Sequence, residues 1–161
     1  MFKLVKVIIT FLFYLISVSG FGQDGEIATP YQYPRLVQAH VPFYPGIAEA
    51  LQFGGRVEID VTVEDGIITE TKVKSETIEP PNGREKEFQS NTKLLQFLTV
   101  PSLENLKTWR FVQGENGRFT VTFIYKIEGE ETLYPENHKI ELDLPLTVKI
   151  TAKPSKPQKS P

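Results

Sequence analysis

The residues that could do chemistry on their own are few, and their spacing argues against it. The 161-residue chain has no cysteine and only two histidines. Neither His40 nor His138 is spaced with a serine or a carboxylate as a nucleophile and its base would be, and His138, near Glu136 and Lys139, reads as a solvated loop residue. Glu76, Glu79, Glu85 and Glu87 crowd one stretch and could attract a divalent cation. Arg84 and Lys86 are interleaved with the last two, and calcium-loop spacing is missing, so a solvated face is the better reading. Gly54-Gly55 opens directly into a strand pattern and cradles no phosphate. Catalysis, a metal site and a cofactor are therefore not expected.

What remains is the chemistry of the main chain. Arg118 to Ile127 reads RFTVTFIYKI, with Phe119, Val121, Phe123, Tyr125 and Ile127 at every second position and therefore on one face of a pleated strand. Backbone N–H and C=O groups along such a strand can pair with an extended guest, so these five residues mark the expected partner-binding edge.

Other segments must position it. Val57, Ile59, Val61 and Val63 alternate with polar residues and run into Asp65-Gly66, the signal of a tight hairpin turn, with a returning strand to Ser75 on which Ile67, Thr69, Thr71 and Val73 share a face. Pro45, Ile47, Ala50 and Leu51 predict a short helix over about 45–51. Leu94, Leu95 and Leu98 have helical spacing, and Pro101 predicts a kink or two short pieces before Leu103, Leu106 and Trp109. Ile140, Leu142, Leu144, Leu146, Val148 and Ile150 alternate along one last strand, with Pro145 facing out at a sheet edge. Burying six aliphatic side chains at ~1.5 to 3 kcal/mol each nearly cancels the ordering of eleven residues at ~1 to 2 kcal/mol each. These six residues are thus read either as a fixed fourth strand or as a gate that yields its place to a peptide. The expected fold is α+β: a small antiparallel sheet of three to four strands, packed on one or two short helices.

Lys3 and Lys6 precede the uncharged apolar run Val7 to Val18, and Ser19-Gly20-Phe21-Gly22 follows, as in a secretory signal peptide over 1–22. A retained anchor over 4–21 is the rival, and only then would the chain touch a membrane. Residues 23–41, with Pro30 and Pro34, read as a linker, 42–150 as the domain, and 151–161, carrying Lys153, Lys156 and Lys159 among prolines, as a disordered tail. The whole chain has 18 basic and 20 acidic residues; without Lys3 and Lys6 the basic count is 16, which excludes a nucleic-acid binder.

The order of Tyr44-Pro45, Gly55-Arg56-Val57, Asp65-Gly66, a strand ending at Ser75, a leucine-rich helix, Trp109-Arg110-Phe111 and a further strand resembles the C-terminal domain of TonB, the energy transducer of outer-membrane transport. The likeness covers about residues 42–127, in a short form without the long proline-rich spacer. It implies a periplasmic domain whose three-stranded antiparallel sheet, backed by a helix, receives an extended peptide of an outer-membrane transporter, or of another envelope protein, by strand addition. A structural envelope domain, self-associating as a homodimer, is the alternative.

Overall fold

A computed structural model of the chain describes residues 33–89, 91–129 and 138–154. Its centre is the hairpin that the sequence announces. Strand β2 (Gly54–Glu64) buries Val57, Ile59, Val61 and Val63 and turns at Asp65-Gly66 into β3 (Ile67–Glu79). Both turn residues have positive φ, 51° and 75°, as a type I′ turn requires. Asn116 Oδ1 accepts from the Asp65 amide at 2.8 Å, and Asp65 Oδ1 accepts from the Gly114 amide at 2.8 Å, fastening the turn to the following loop.

Strand β3 has two more residues than the strand it faces, because the register slips between Glu58 and Ile59 and again between Thr62 and Val63. Each slip is a bulge, and together they set Ile68, Thr71, Val73, Glu76 and Ile78 opposite the buried valines, the isoleucine and Gly55. The expected face of Ile67, Thr69, Thr71 and Val73 is corrected accordingly, and Ile67 is half exposed.

Strand β5 (Gly117–Ile127) lies antiparallel on the other side of β2, from Gly55 opposite Tyr125 to Val63 opposite Gly117. The helices are short: α1 (Gly46–Ala50), α2 (Glu85–Gln89) and α3 (Gln96–Leu106), the last preceded by a 3-10 turn at Thr92–Leu95. The break expected at Pro101 does not occur: α3 runs on from Gln96 to Leu106 with the proline inside it. Proline removes one backbone donor, while Leu98, Thr99, Ser102 and Leu106 bury one side of the helix and hold it together.

Two further differences change the fold class. Residues 33–41 are not a linker: Leu36–Gln38 forms β1, paired with β4 (Arg110–Phe111), which in turn meets β3 at Ile67. Residues 139–150 are not one strand. Asp143, the proline and the two leucines around it make a turn between β6 (Lys139–Asp143) and β7 (Thr147–Ala152), which pair antiparallel, and β7 adds to β5 in parallel. Proline cannot donate to a ladder, and here it ends the alternation instead of facing out from an edge. Strand β7 also reaches Ala152, two residues into the expected tail, and Ala152 is buried.

The result, among the described residues, is one mixed seven-stranded sheet in the order β1-β4-β3-β2-β5-β7-β6, curled into a half-barrel, with three short helices. A small sheet of three to four strands on helices is therefore the wrong architecture. The three expected strands are adjacent within it, but four more extend the sheet on both sides. The core lies within the curl: Tyr44, Phe53, Leu98, Leu106 and Trp109 pack on the inward residues of β2, β5 and β7. The segments 1–22 and 155–161, expected to be leader and end of the tail, lie outside the described residues.

Candidate functional site

Of the five residues expected to form a partner-binding edge, Phe119, Val121, Phe123 and Tyr125 are buried and Ile127 is half-buried. Their strand is central. Strand β2 pairs with nine of its residues, and β7 pairs with Thr122 to Ile127 on the opposite flank. A guest reaches the β5 backbone beyond Thr122 only by expelling β7.

The six residues expected to form a gate divide into three kinds. Val148 and Ile150 are fully buried in the core, Ile140 and Leu146 are half-buried, and Leu142 and Leu144 remain 49% and 37% exposed. Ile140 stands opposite Ile150 and Leu142 opposite Val148, so both point to the core face; Ile140 packs against the core, while Leu142 lies beyond the part that could cover it. The gate residues thus divide among a firmly seated inner strand, the turn before it, and an outer strand whose other side is unpaired among the described residues.

The core face of β6 borders a concavity. The curl brings the two ends of the sheet to a common cleft of about 230 Å³, lined on one side by Leu36, Val37 and Val41 and on the other by Leu142 and Leu144, with Trp109 as part of its floor. Val37 and Val41 are 63% and 70% exposed. A drug-sized ligand needs ~300 Å³ or more, so this space suits one or two apolar side chains of a longer guest. Two larger concavities lie elsewhere. One, on the outer face, is lined mainly by charged and hydroxyl side chains such as Asp60, Glu70, Lys72 and Arg118; the other lies between the end of β3 and the segment from α2 to the 3-10 turn. Neither adjoins both open ends of the sheet.

The cleft walls are held by polar contacts that sequence patterns did not suggest. Glu115 accepts from both the amide and the Nε of Arg35, each at 2.6 Å, and the Arg35 carbonyl accepts from the Val112 amide at 2.9 Å. The amide bond from Arg35 is the main reason that the Glu115 carboxyl lies below its ordinary range. Asn105 accepts from the Trp109 indole N–H and donates to the His40 carbonyl, both at 3.0 Å, while Thr108 Oγ1 accepts from the His40 amide. The floor and the 33–42 wall are thereby joined to the end of α3.

On the opposite side, His138 immediately precedes β6 and is no solvated loop residue. Its Nδ1 accepts from the Tyr44 amide at 3.4 Å, its Nε2 lies 3.3 Å from Glu49 Oε2, and its ring packs on Tyr44 at 5.8 Å. With Nδ1 accepting, Nε2 carries the proton that faces Glu49. The Tyr44 hydroxyl donates to the Phe53 carbonyl at 2.8 Å and its ring meets Tyr125 edge-on, so burial pushes its phenol well above the ordinary range. His40 joins the cleft wall, remote in sequence from this cluster, and among the described residues no group of histidine and acidic side chains is arranged to hold a metal ion.

The solvent face of β6 carries Lys139, Glu141 and Asp143. Glu141 bonds to Lys149 at 2.8 Å and Lys139 at 3.1 Å, contacts that lower its carboxyl pKa, Lys149 having the larger effect. Compared with models of known protein families and with curated protein sequences, the chain matches none. No helix among the described residues is long and apolar enough to cross a membrane.

Proposed function

We propose that this domain is a peptide-binding module of the cell envelope that captures an extended segment by strand addition. The single observation that carries the reading is the pair of sheet ends, β1 and β6, each without a further partner strand among the described residues, on either side of one apolar cleft. A guest strand beside β6 would satisfy its outward backbone groups and place alternate side chains over Leu142 and Trp109. The binding edge in this proposal is thus β6, not β5.

The TonB-like order of residues and the leader-like N-terminus support export to the periplasm and a guest belonging to an outer-membrane transporter or another envelope protein. The proposal does not include catalysis. The test is an NMR titration of the isotope-labelled chain with synthetic peptides tiling the periplasm-facing segments of outer-membrane transporters. Binding should shift the amides of Lys139 to Asp143 and the Trp109 indole N–H, and Leu142→Asp should abolish those shifts. Absence of binding at millimolar peptide, or shifts confined to the outer face of β2 and β3, would overturn the proposal.

A further inference from the structure

The side chains of β6 specify what an added strand should look like. In an antiparallel pair, residues directly opposite share a face, so a guest would set apolar residues against Leu142 and Ile140 on the cleft side. On the solvent side it would set a basic residue against Asp143 and an acidic one against Lys139. Read in the guest's own direction, that pattern is basic, apolar, any, apolar, acidic. Strand β6 itself is Lys139-Ile140-Glu141-Leu142-Asp143. Its sequence is its own antiparallel complement.

We infer that β6 pairs with β6 of a second copy of this chain about a two-fold axis at Glu141, joining two seven-stranded sheets edge to edge. In this register Lys139 faces Asp143 of the second copy, Ile140 faces its Leu142, and both contacts occur twice, as two-fold symmetry demands. The two Glu141 carboxylates meet at the axis. Each is already compensated by Lys149 on the neighbouring strand, so Lys139 can turn to the Asp143 across the pair. A one-residue slip would set Lys139 against Leu142 and Ile140 against Glu141, which selects the matched register.

The inference rests on the reading of β6 as an open edge and adds a regulation to it: self-pairing occupies the edge that a transporter peptide would need, so the two events exclude each other. Sedimentation of the full chain over a concentration series tests this. Wild type should shift from one to two chains. Asp143→Lys sets like charges together at both ends of the pair and should weaken association about tenfold or more. Combining it with Lys139→Asp reverses both charges and should restore association, while thermal melts show every variant folded. A chain that stays monomeric at millimolar concentration, or a dimer indifferent to Asp143→Lys, overturns the inference. A monomer that still binds transporter peptides at β6 removes self-pairing alone, and a dimer that binds no peptide even when diluted to monomers removes the transporter reading alone.

Discussion

Removing the Tyr125 hydroxyl should reveal its burial through a dependence on pH. Tyr125 is 1% exposed in the middle of β5, and its hydroxyl lies 2.8 Å from Ser102 Oγ. Ser102 spends its one proton on the Leu98 carbonyl at 2.8 Å, so Tyr125 is the donor between the two hydroxyls. Near neutrality, Tyr125→Phe leaves a serine lone pair without its partner and should cost about 1 kcal/mol. Burial pushes the Tyr125 phenol from 10.0 up to about 12. Below pH 10 the phenol is neutral whether the chain is folded or unfolded. Between 10 and about 12 only the unfolded chain ionises at this residue, and wild type loses about 1.4 kcal/mol for each pH unit. The phenylalanine variant lacks that loss, so the two stabilities should converge near pH 11 and cross above it. Denaturant unfolding followed through the single tryptophan, Trp109, from pH 7 to 11.5 measures the difference. A gap between variant and wild type that does not change with pH would refute the buried, donating hydroxyl. Ser102→Ala should be the costlier single change, at ~1 to 3 kcal/mol, because it strands a buried donor. The double variant should cost less than the sum of the two.

Other perturbations have equally local outcomes. Gly54→Ala would set a Cβ 2.4 Å from the Tyr125 carbonyl oxygen, prising β2 from β5, and should cost ~1 to 3 kcal/mol in chemical denaturation. Gly66→Ala combines a φ of 75° with contacts of 2.8 Å to the carbonyls of Phe111 and Val112, and should destabilise by at least about 1 kcal/mol while loosening the β4 amides in hydrogen exchange. His138→Phe keeps a ring against Tyr44 but deletes the bonds to its amide and to Glu49, so exchange should quicken through Lys139–Asp143 and not in β2 or β5. The lowered pKa of Glu115 means that its bonds to Arg35 persist above the ordinary glutamate range and are lost as pH falls through the lowered value. The NMR shift of the Arg35 amide should show that acid step, and Glu115→Gln should lack it.

Local pattern foretold those elements that local physics decides. Asp65-Gly66 specified its turn, Pro45 preceded α1, and the alternations at β2 and β5 marked strands with one buried face. The same alternation misled about the site. A strand with nearly every second residue in the core is central, and the row Phe119 to Tyr125 was evidence against an edge. Strands β1 and β4 have three and two residues, too few for any period, and exist because they hold each other beside the hairpin tip. The break at 144–146 had a visible sign in Pro145, which sits awkwardly within any ladder. The parallel partnership of β5 with β7 had none, since direction depends on where the intervening chain returns. Nor did either histidine announce its bonding, because the partners of His138 are about ninety residues away.

The two extra residues of β3 have a use beyond accommodating its length. Each bulge bends and twists the sheet locally, and the sum of such bends determines how far its first and last strands stand apart. Lys74 and Thr69 are therefore adjustment points for an aperture that neither touches. Deleting one would relax the curvature and part the rims, a change of calibre made on the far wall of the molecule with every rim residue left in place.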